Sequence, residues 1–109
     1  MPYPIEVNDS PIMLTRSQPA TDFYQMMIDQ FEEMLRLSDK TPLVCGVALH
    51  TFVVGQPFRL LQLRKALRQI LQHPQFDKVW VTTPGQIATY AAQLPAGTIP
   101  GDREIAQKK

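Results

Sequence analysis

Residues 43–49, LVCGVAL, decide the predicted fold because they are apolar on both faces. A strand with one wet face alternates apolar and polar residues, whereas a central strand of a parallel sheet is apolar throughout. Pro42 precedes this run, and His50 and Thr51 end it. We therefore predict a central strand over residues 43–49 that is covered on both sides.

Two shorter strands are predicted on either side of this run. Residues 3–7 alternate apolar and polar side chains, which is typical of a strand. The turn-forming residues 8–11 end that strand, and a loop is expected to continue to Gln18. Residues 78–82, KVWVT, are rich in β-forming types and predict the third strand.

A helix is predicted after each strand. The first is expected to begin at Thr21 as its cap, and apolar side chains recur through it at helical spacing. Pro57 is expected to open the second helix. Its predicted buried stripe consists of Leu60, Leu63, Leu67, Ile70 and Leu71. Residues 83–86, TPGQ, match a capping box with proline at the first helical position, and predict the start of the third helix.

The repeated order of strand and helix predicts an α/β chain of three consecutive βα units around a parallel sheet. Residues 43–49 would be the middle strand. Three strands leave both sheet edges open, and parallel α/β domains usually have more strands. We therefore expect residues 1–101 to be the end of an incomplete (β/α) barrel, followed by a flexible tail over residues 102–109.

The composition of the 109-residue chain is that of an ordinary globular protein, with 44% apolar and 19% charged residues. A net charge of +1 provides no general attraction to nucleic acid or to a membrane surface. We therefore expect neither a nucleic acid nor a membrane as a partner. A membrane span is also excluded, because no apolar run is long enough to cross a bilayer. The single cysteine, Cys45, and the absence of a secretory leader predict a cytoplasmic protein.

Candidate functional residues follow the predicted strands at their carboxyl ends, where ligands bind in parallel α/β proteins. Asp9 and His50 would end neighbouring strands, and a carboxylate that orients an imidazole forms a general acid or base. Asn8 and Thr51, beside them, are the candidate substrate-binding residues. In a purely structural interpretation, Asp9 is a turn residue and His50 a hydrogen-bonded polar group. The sequence contains no metal-binding motif, and we predict no metal site in this chain.

Four segments of the chain are similar to one known family. They are MPYPIEVNDSP (1–11), DQFEEML (29–35), PLVCGVALHTFVVGQPFRLLQLRKAL (42–67) and VWVTTPGQIA (79–88). Together they resemble the C-terminal part of the polysaccharide deacetylase family, which has the NodB-homology fold. The branch that they resemble most contains the cofactor-independent allantoinases of uric-acid breakdown.

This resemblance implies an irregular (β/α) barrel that hydrolyses a non-peptide C–N bond. The substrate would carry an N-acetyl group, as in a carbohydrate, or would be a ureido compound such as allantoin. Leu49-His50 resembles the late family motif whose histidine is the general acid for the leaving nitrogen, and Asp9 resembles the carboxylate that tunes it. The family often uses a divalent metal such as zinc, whereas the allantoinase-like branch implies none.

The family motifs that supply the base and bind the metal have no counterpart in this sequence. We therefore expect a C-terminal fragment of a hydrolase that is inactive alone and that pairs with the missing N-terminal half or with further copies of itself. Two alternatives stay open. One is a non-catalytic interaction or oligomerisation module with exposed parallel sheet edges. The other is a small domain that binds a phosphate or nucleotide where the last helix begins, at Thr82 and Thr83.

Overall fold

A computed structural model describes residues 4–99, and helices dominate that part of the chain. The elements in order are a π-helix (Ser10–Thr15), α1 (Ala20–Leu37), α2 (Thr51–Val54), α3 (Pro57–Leu71), a 3-10 helix (Phe76–Lys78) and α4 (Pro84–Ala92). Residues 4–79 belong to one compact unit, and residues 80–99 belong to a second.

Helix α1 carries the core of the first unit. Its buried face consists of Ala20, Phe23, Tyr24, Met27, Ile28, Phe31 and Leu35, which recur at the helical period. The predicted cap at Thr21 is wrong. The helix begins at Ala20, and its cap, two residues before the predicted one, is an extended Pro19 that makes no side-chain capping bond. The segment predicted as a loop before it contains the π-helix, whose Ile12 and Met13 are buried against the same core.

Helix α3 begins at Pro57, as predicted, and packs against α1. Only part of its predicted stripe is buried: Leu63 lies in the core, Leu60 is packed partly against it, and Leu67 and Leu71 are exposed. The stripe is narrower than predicted because α3 meets α1 on one side only, through the face that contains Leu63 and Ala66.

The predicted α/β fold is wrong, because no strand forms within residues 4–99. The three βα units, the parallel sheet and the incomplete, TIM-barrel-like (β/α) architecture are therefore all overturned. Residues 43–49 form no helix, and within the described part of the chain their β pairing is a single parallel bridge between Asn8 and Ala48. Leu43 and Val44 are 43% and 51% exposed. An apolar run becomes a central strand only where neighbouring strands bond to it along its length.

The other two predicted strands are also absent. Of residues 3–7, Tyr3 lies outside the described residues, and residues 5–7 form a bend. Lys78 ends the 3-10 helix instead of beginning a strand.

The capping box is confirmed: the Gln86 amide donates to the Thr83 hydroxyl at 3.3 Å, and the Thr83 amide donates to Gln86 Oε1 at 3.2 Å. The predicted tail, 102–109, lies outside the described residues.

Phe23 is expected to contribute more to stability than any exposed phenylalanine, because its ring is fully buried at the centre of the core. Phe23→Ala should lower the free energy of unfolding by about 3–5 kcal/mol, through lost burial and the cavity left behind. Phe58→Ala removes the same ring from a position 64% exposed and should cost less than about 1 kcal/mol. Urea denaturation followed by circular dichroism measures both, and similar losses would contradict this description of the core.

Candidate functional site

One short contact between distant segments brings the candidate residues together. The Ala48 amide donates to the Val7 carbonyl at 3.0 Å, and the Asp9 amide donates to the Ala48 carbonyl at 3.1 Å. Because the two segments run in the same direction at this bridge, the residues that follow Asn8 and Ala48 lie side by side. Asp9 and His50 are therefore adjacent although 41 residues separate them in the sequence.

Both carboxylate oxygens of Asp9 bind His50. Asp9 Oδ2 accepts the backbone N–H of His50 at 2.7 Å, and Oδ1 lies 2.6 Å from Nδ1 of the ring. Asp9 is fully buried, whereas the His50 side chain is 40% exposed. An ionised carboxylate can only accept hydrogen bonds, so Nδ1 donates and the imidazole is held in one orientation. Its second nitrogen, Nε2, remains for a ligand or a proton.

The turn after His50 is held by backbone and side-chain bonds. The His50 carbonyl accepts the amides of Val53 at 2.9 Å and Val54 at 3.0 Å. Arg59 donates from Nη1 to the Val53 carbonyl at 3.2 Å, which ties the start of α3 to this turn. At Gly55 a Cβ would overlap the Thr51 carbonyl oxygen, so a residue without a side chain is required there. These contacts fix the direction in which the chain leaves His50.

The two residues predicted to bind substrate differ in their environment. Asn8 uses its side chain locally: Nδ2 donates to the Pro4 carbonyl at 3.4 Å, and Oδ1 accepts the Ser10 amide at 3.2 Å. It therefore closes the turn before Asp9. Thr51 is exposed at the first position of α2, directly beside His50. The exposed ring of Phe52 packs edge-on against the imidazole, with 5.7 Å between the ring centroids.

Sequence reasoning missed two residues of this site, Tyr24 and Arg59. Tyr24 is 2% exposed, and its ring packs edge-on against Phe23. Burial and the nearby Asp9 charge raise the pKa of Tyr24 to about 12, and Arg59 opposes this shift. The only feature of the sequence that could have identified Tyr24 is its position on the apolar face of α1. Arg59, near the start of α3, is half-buried and donates back to the Val53 carbonyl.

The second histidine of the chain, His73, and its single cysteine, Cys45, do not contribute to this pair. His73 Nε2 lies 3.1 Å from Glu32 Oε2, and its ring packs edge-on against Phe31. Cys45 is an exposed residue, but partial burial of its thiol raises the pKa, which disfavours a reactive thiolate. Within residues 4–99, no group of three or more His, Cys, Asp or Glu side chains could hold a metal ion. The divalent metal of the deacetylase family therefore has no set of ligands in this part of the chain.

Comparison with known proteins assigns the chain to no family. No protein-family model, curated protein or solved structure matches it. None of the helices formed by residues 4–99 has the length and the apolar character needed to cross a membrane. The candidate function therefore depends on the geometry of the Asp9–His50 pair and on the motifs around it.

The raised pKa of Tyr24 makes stability depend on alkaline pH. The unfolded chain releases the phenolic proton at its ordinary pKa of 10.0, and the folded chain releases it at about 12. The folded state favours the neutral phenol, and the stability that this provides is fully present below pH 10. It is lost between pH 10 and 12, because the unfolded chain already binds fewer protons there. The wild type should lose roughly 2–3 kcal/mol more than Tyr24→Phe over this interval.

Urea denaturation of both proteins at several alkaline pH values measures this difference. Lysines and the other ionisable groups titrate in both proteins, so their effect cancels. Parallel losses of stability in the wild type and in Tyr24→Phe would show that the phenol is not desolvated in the folded state.

Proposed function

We propose that this chain supplies the general acid of a polysaccharide deacetylase-like hydrolase that cleaves non-peptide C–N bonds. The observation that supports it is the contact of 2.6 Å between the buried Asp9 carboxylate and Nδ1 of a half-exposed His50. The buried carboxylate orients the imidazole through Nδ1 and leaves part of the ring exposed, which is the arrangement that a general acid needs. The resemblance of Leu49-His50 and Asp9 to two family motifs points to the same reaction.

The proposed role of His50 is to give a proton to the leaving nitrogen. Water adds to the carbonyl carbon, and the C–N bond then breaks as Nε2 of the protonated imidazole transfers its proton to the departing amine. Asp9 keeps Nδ1 protonated and stabilises the imidazolium before the transfer. The exposed side chains of Thr51 and Phe52 lie beside the ring, where a substrate would enter.

The groups that activate water lie outside this chain in the proposal. A general acid alone contributes about 10²–10⁴-fold to a rate, so the isolated chain is expected to be inactive. The substrate is an N-acetylated sugar or a ureido compound of the allantoin type. We place the protein in the cytoplasm, where a single unpaired cysteine is stable.

Expression of the complete open reading frame that contains Met1 tests this proposal. Its whole product should release acetate from N-acetyl chito-oligosaccharides or convert allantoin to allantoate. In that protein, His50→Gln should lower kcat by about 10²–10⁴-fold, because the leaving nitrogen would depart without a proton. Enzyme-coupled acetate detection and colorimetric allantoate detection measure the two reactions.

His73→Gln is the matched control, since His73 also contacts a carboxylate but lies away from Asp9. Its activity should stay within about twofold of the wild type. The proposal is wrong if the complete reading frame hydrolyses neither substrate class, or if His50→Gln retains more than half of the activity.

The apolar surface of the chain favours a second candidate function, an interaction module. The large exposed apolar residues of the first unit include Leu43, Val44, Leu49, Phe52, Phe58, Leu61, Leu67 and Leu71. The first two lie outside any helix, where a partner can cover side chains and bond to the backbone. In this candidate the covering surface belongs to another copy of the chain. Large exposed apolar side chains are typical of contact sites between proteins where they form a patch.

Sedimentation of the purified chain tests the version in which copies pair with each other. It should sediment as a dimer or larger species at roughly micromolar concentration. Val44→Asp should weaken the association at least about tenfold, because it places a charge in the apolar contact. Gln69→Asp, which places the same charge at an exposed polar position of α3, should have little effect. A monomer at all concentrations, or equal effects of the two variants, would argue against self-association through residues 43–49.

A further inference from the structure

Two exposed aromatic side chains are in contact in the second compact unit. Trp80 and Tyr90 are 56% and 55% exposed, and their ring centroids lie 5.8 Å apart with the planes at 68°. Burial of large rings is favourable, yet these two keep more than half of their surface in water. A single exposed ring is ordinary in a folded protein, whereas two in contact form a small apolar surface. The pair therefore has no role in the core of this unit.

Helix α4 arranges polar side chains around the two rings. Gln86, Tyr90 and Gln93 are separated by four and three residues, so they lie on one face at α4 and its C-terminal cap. Trp80, which precedes the helix, reaches this face through its contact with Tyr90. The two rings line an open depression of about 490 Å³, a volume typical of small-molecule sites, together with Thr83, Gln86, Thr89 and Gln93.

Hydrogen-bonding groups without charge surround the rings. Gln86 Oε1 accepts two bonds in and beside the capping box, and its Nε2 remains available as a donor. The Thr89 hydroxyl donates to the Gly85 carbonyl at 3.0 Å and can still accept a bond. Tyr90 and Gln93 are exposed and add further donors and acceptors. None of the described residues that line the depression carries a charge.

This combination of groups fits a neutral sugar. The axial C–H bonds of a pyranose ring form an apolar face with small positive charges, and the face of an aromatic ring is negative. The sugar hydroxyls point outward, where amide and hydroxyl side chains can bond to them. A nucleotide would also stack on the rings, but its phosphates need cations that this depression does not provide. An apolar protein surface would cover the rings but leave the surrounding amides and hydroxyls unbonded.

We propose that Trp80 and Tyr90 form a binding site for a short neutral oligosaccharide, whose sugar ring packs on the two aromatic rings while its hydroxyls bond to Gln86 and Gln93. Because the two ring planes meet at 68°, they contact a sugar from two sides instead of along one flat surface. This site goes beyond the proposed function, since it lies in the second unit and uses no residue of the Asp9–His50 pair.

Gly85 provides a way to close the site without disturbing the helix. It lines the depression at the second position of α4, and a Cβ built there would meet no atom within 4 Å. Side chains are therefore accommodated at this position, and residues other than glycine favour a helix. Gly85→Gln extends a long side chain from the wall of the depression, whereas Gly85→Ala adds only a methyl group.

Fluorescence of the full chain measures saccharide binding directly, because Trp80 is the only tryptophan of the sequence. Triacetylchitotriose or cellotriose should shift the Trp80 emission to the blue and saturate with a Kd of roughly 1 mM or below. The indole N–H of Trp80 gives one signal in the NMR spectrum of the ¹⁵N-labelled protein. That signal should move with the same Kd.

Four variants test the geometry of the site. Tyr90→Ala removes one ring and Gly85→Gln occupies the space of the sugar, and each should raise the Kd at least about fivefold. Gly85→Ala should stay within about twofold of the wild type. So should Phe58→Ala, which removes an equally exposed ring from the first unit. Circular dichroism checks that each variant keeps its helices.

Three results would overturn the proposal. The first is a Trp80 emission that neither saccharide changes. The second is adenosine monophosphate bound as tightly as the trisaccharide, which would show a stacking site for planar rings. The third is an emission that depends on protein concentration without sugar, which would show that a second copy covers the rings. Saccharide binding can fail while His50→Gln still abolishes hydrolysis, so this site and the proposed function are tested separately.

Discussion

The buried carboxylate of Asp9 is the constraint on which the arrangement of the candidate site depends. An ionised group removed from water is costly unless hydrogen bonds compensate it, and here both oxygens bind His50. Those bonds can form only if the segment before α1 and the segment after Ala48 lie side by side. The single parallel bridge between Asn8 and Ala48 achieves this without a sheet. A chain that broke this contact would leave a bare charge inside an apolar core.

The two long helices, one before His50 in the sequence and one after it, both carry residues that act on this part of the unit. Helix α1 brings Tyr24 into the field of Asp9, and α3 brings Arg59 to the carbonyl of Val53 in the turn after His50. The apolar contact between α1 and α3 therefore does more than stabilise the unit, because α3 also carries the arginine that holds the turn after His50. The result is asymmetric: Nδ1 of His50 faces the interior, while part of the ring remains open to solvent. Such asymmetry allows a histidine to exchange a proton on one side only.

The helices were largely predictable because their signals are local. Pro57 and the capping box at Thr83 each act within one turn of their own helix, so the sequence alone indicated both starts. The strands were not predictable in the same way. Residues 43–49 have the apolar character of a central strand, yet a strand exists only through partners that are distant in the sequence. Within residues 4–99, Ala48 alone has such a partner.

The sequence by itself determined the apolar face of α1 and the starts of α3 and α4, because those features depend on residue type and on spacing within one segment. It also predicted Asp9 and His50 as neighbours, but from the ends of two parallel strands that do not form within residues 4–99. Only the tertiary structure decided that no sheet forms within residues 4–99, that Asn8 closes a turn, that Tyr24 is buried, and that Arg59 donates to the Val53 carbonyl. These outcomes depend on contacts between segments far apart in the chain, and local sequence patterns carry no information about which distant groups will satisfy a buried charge.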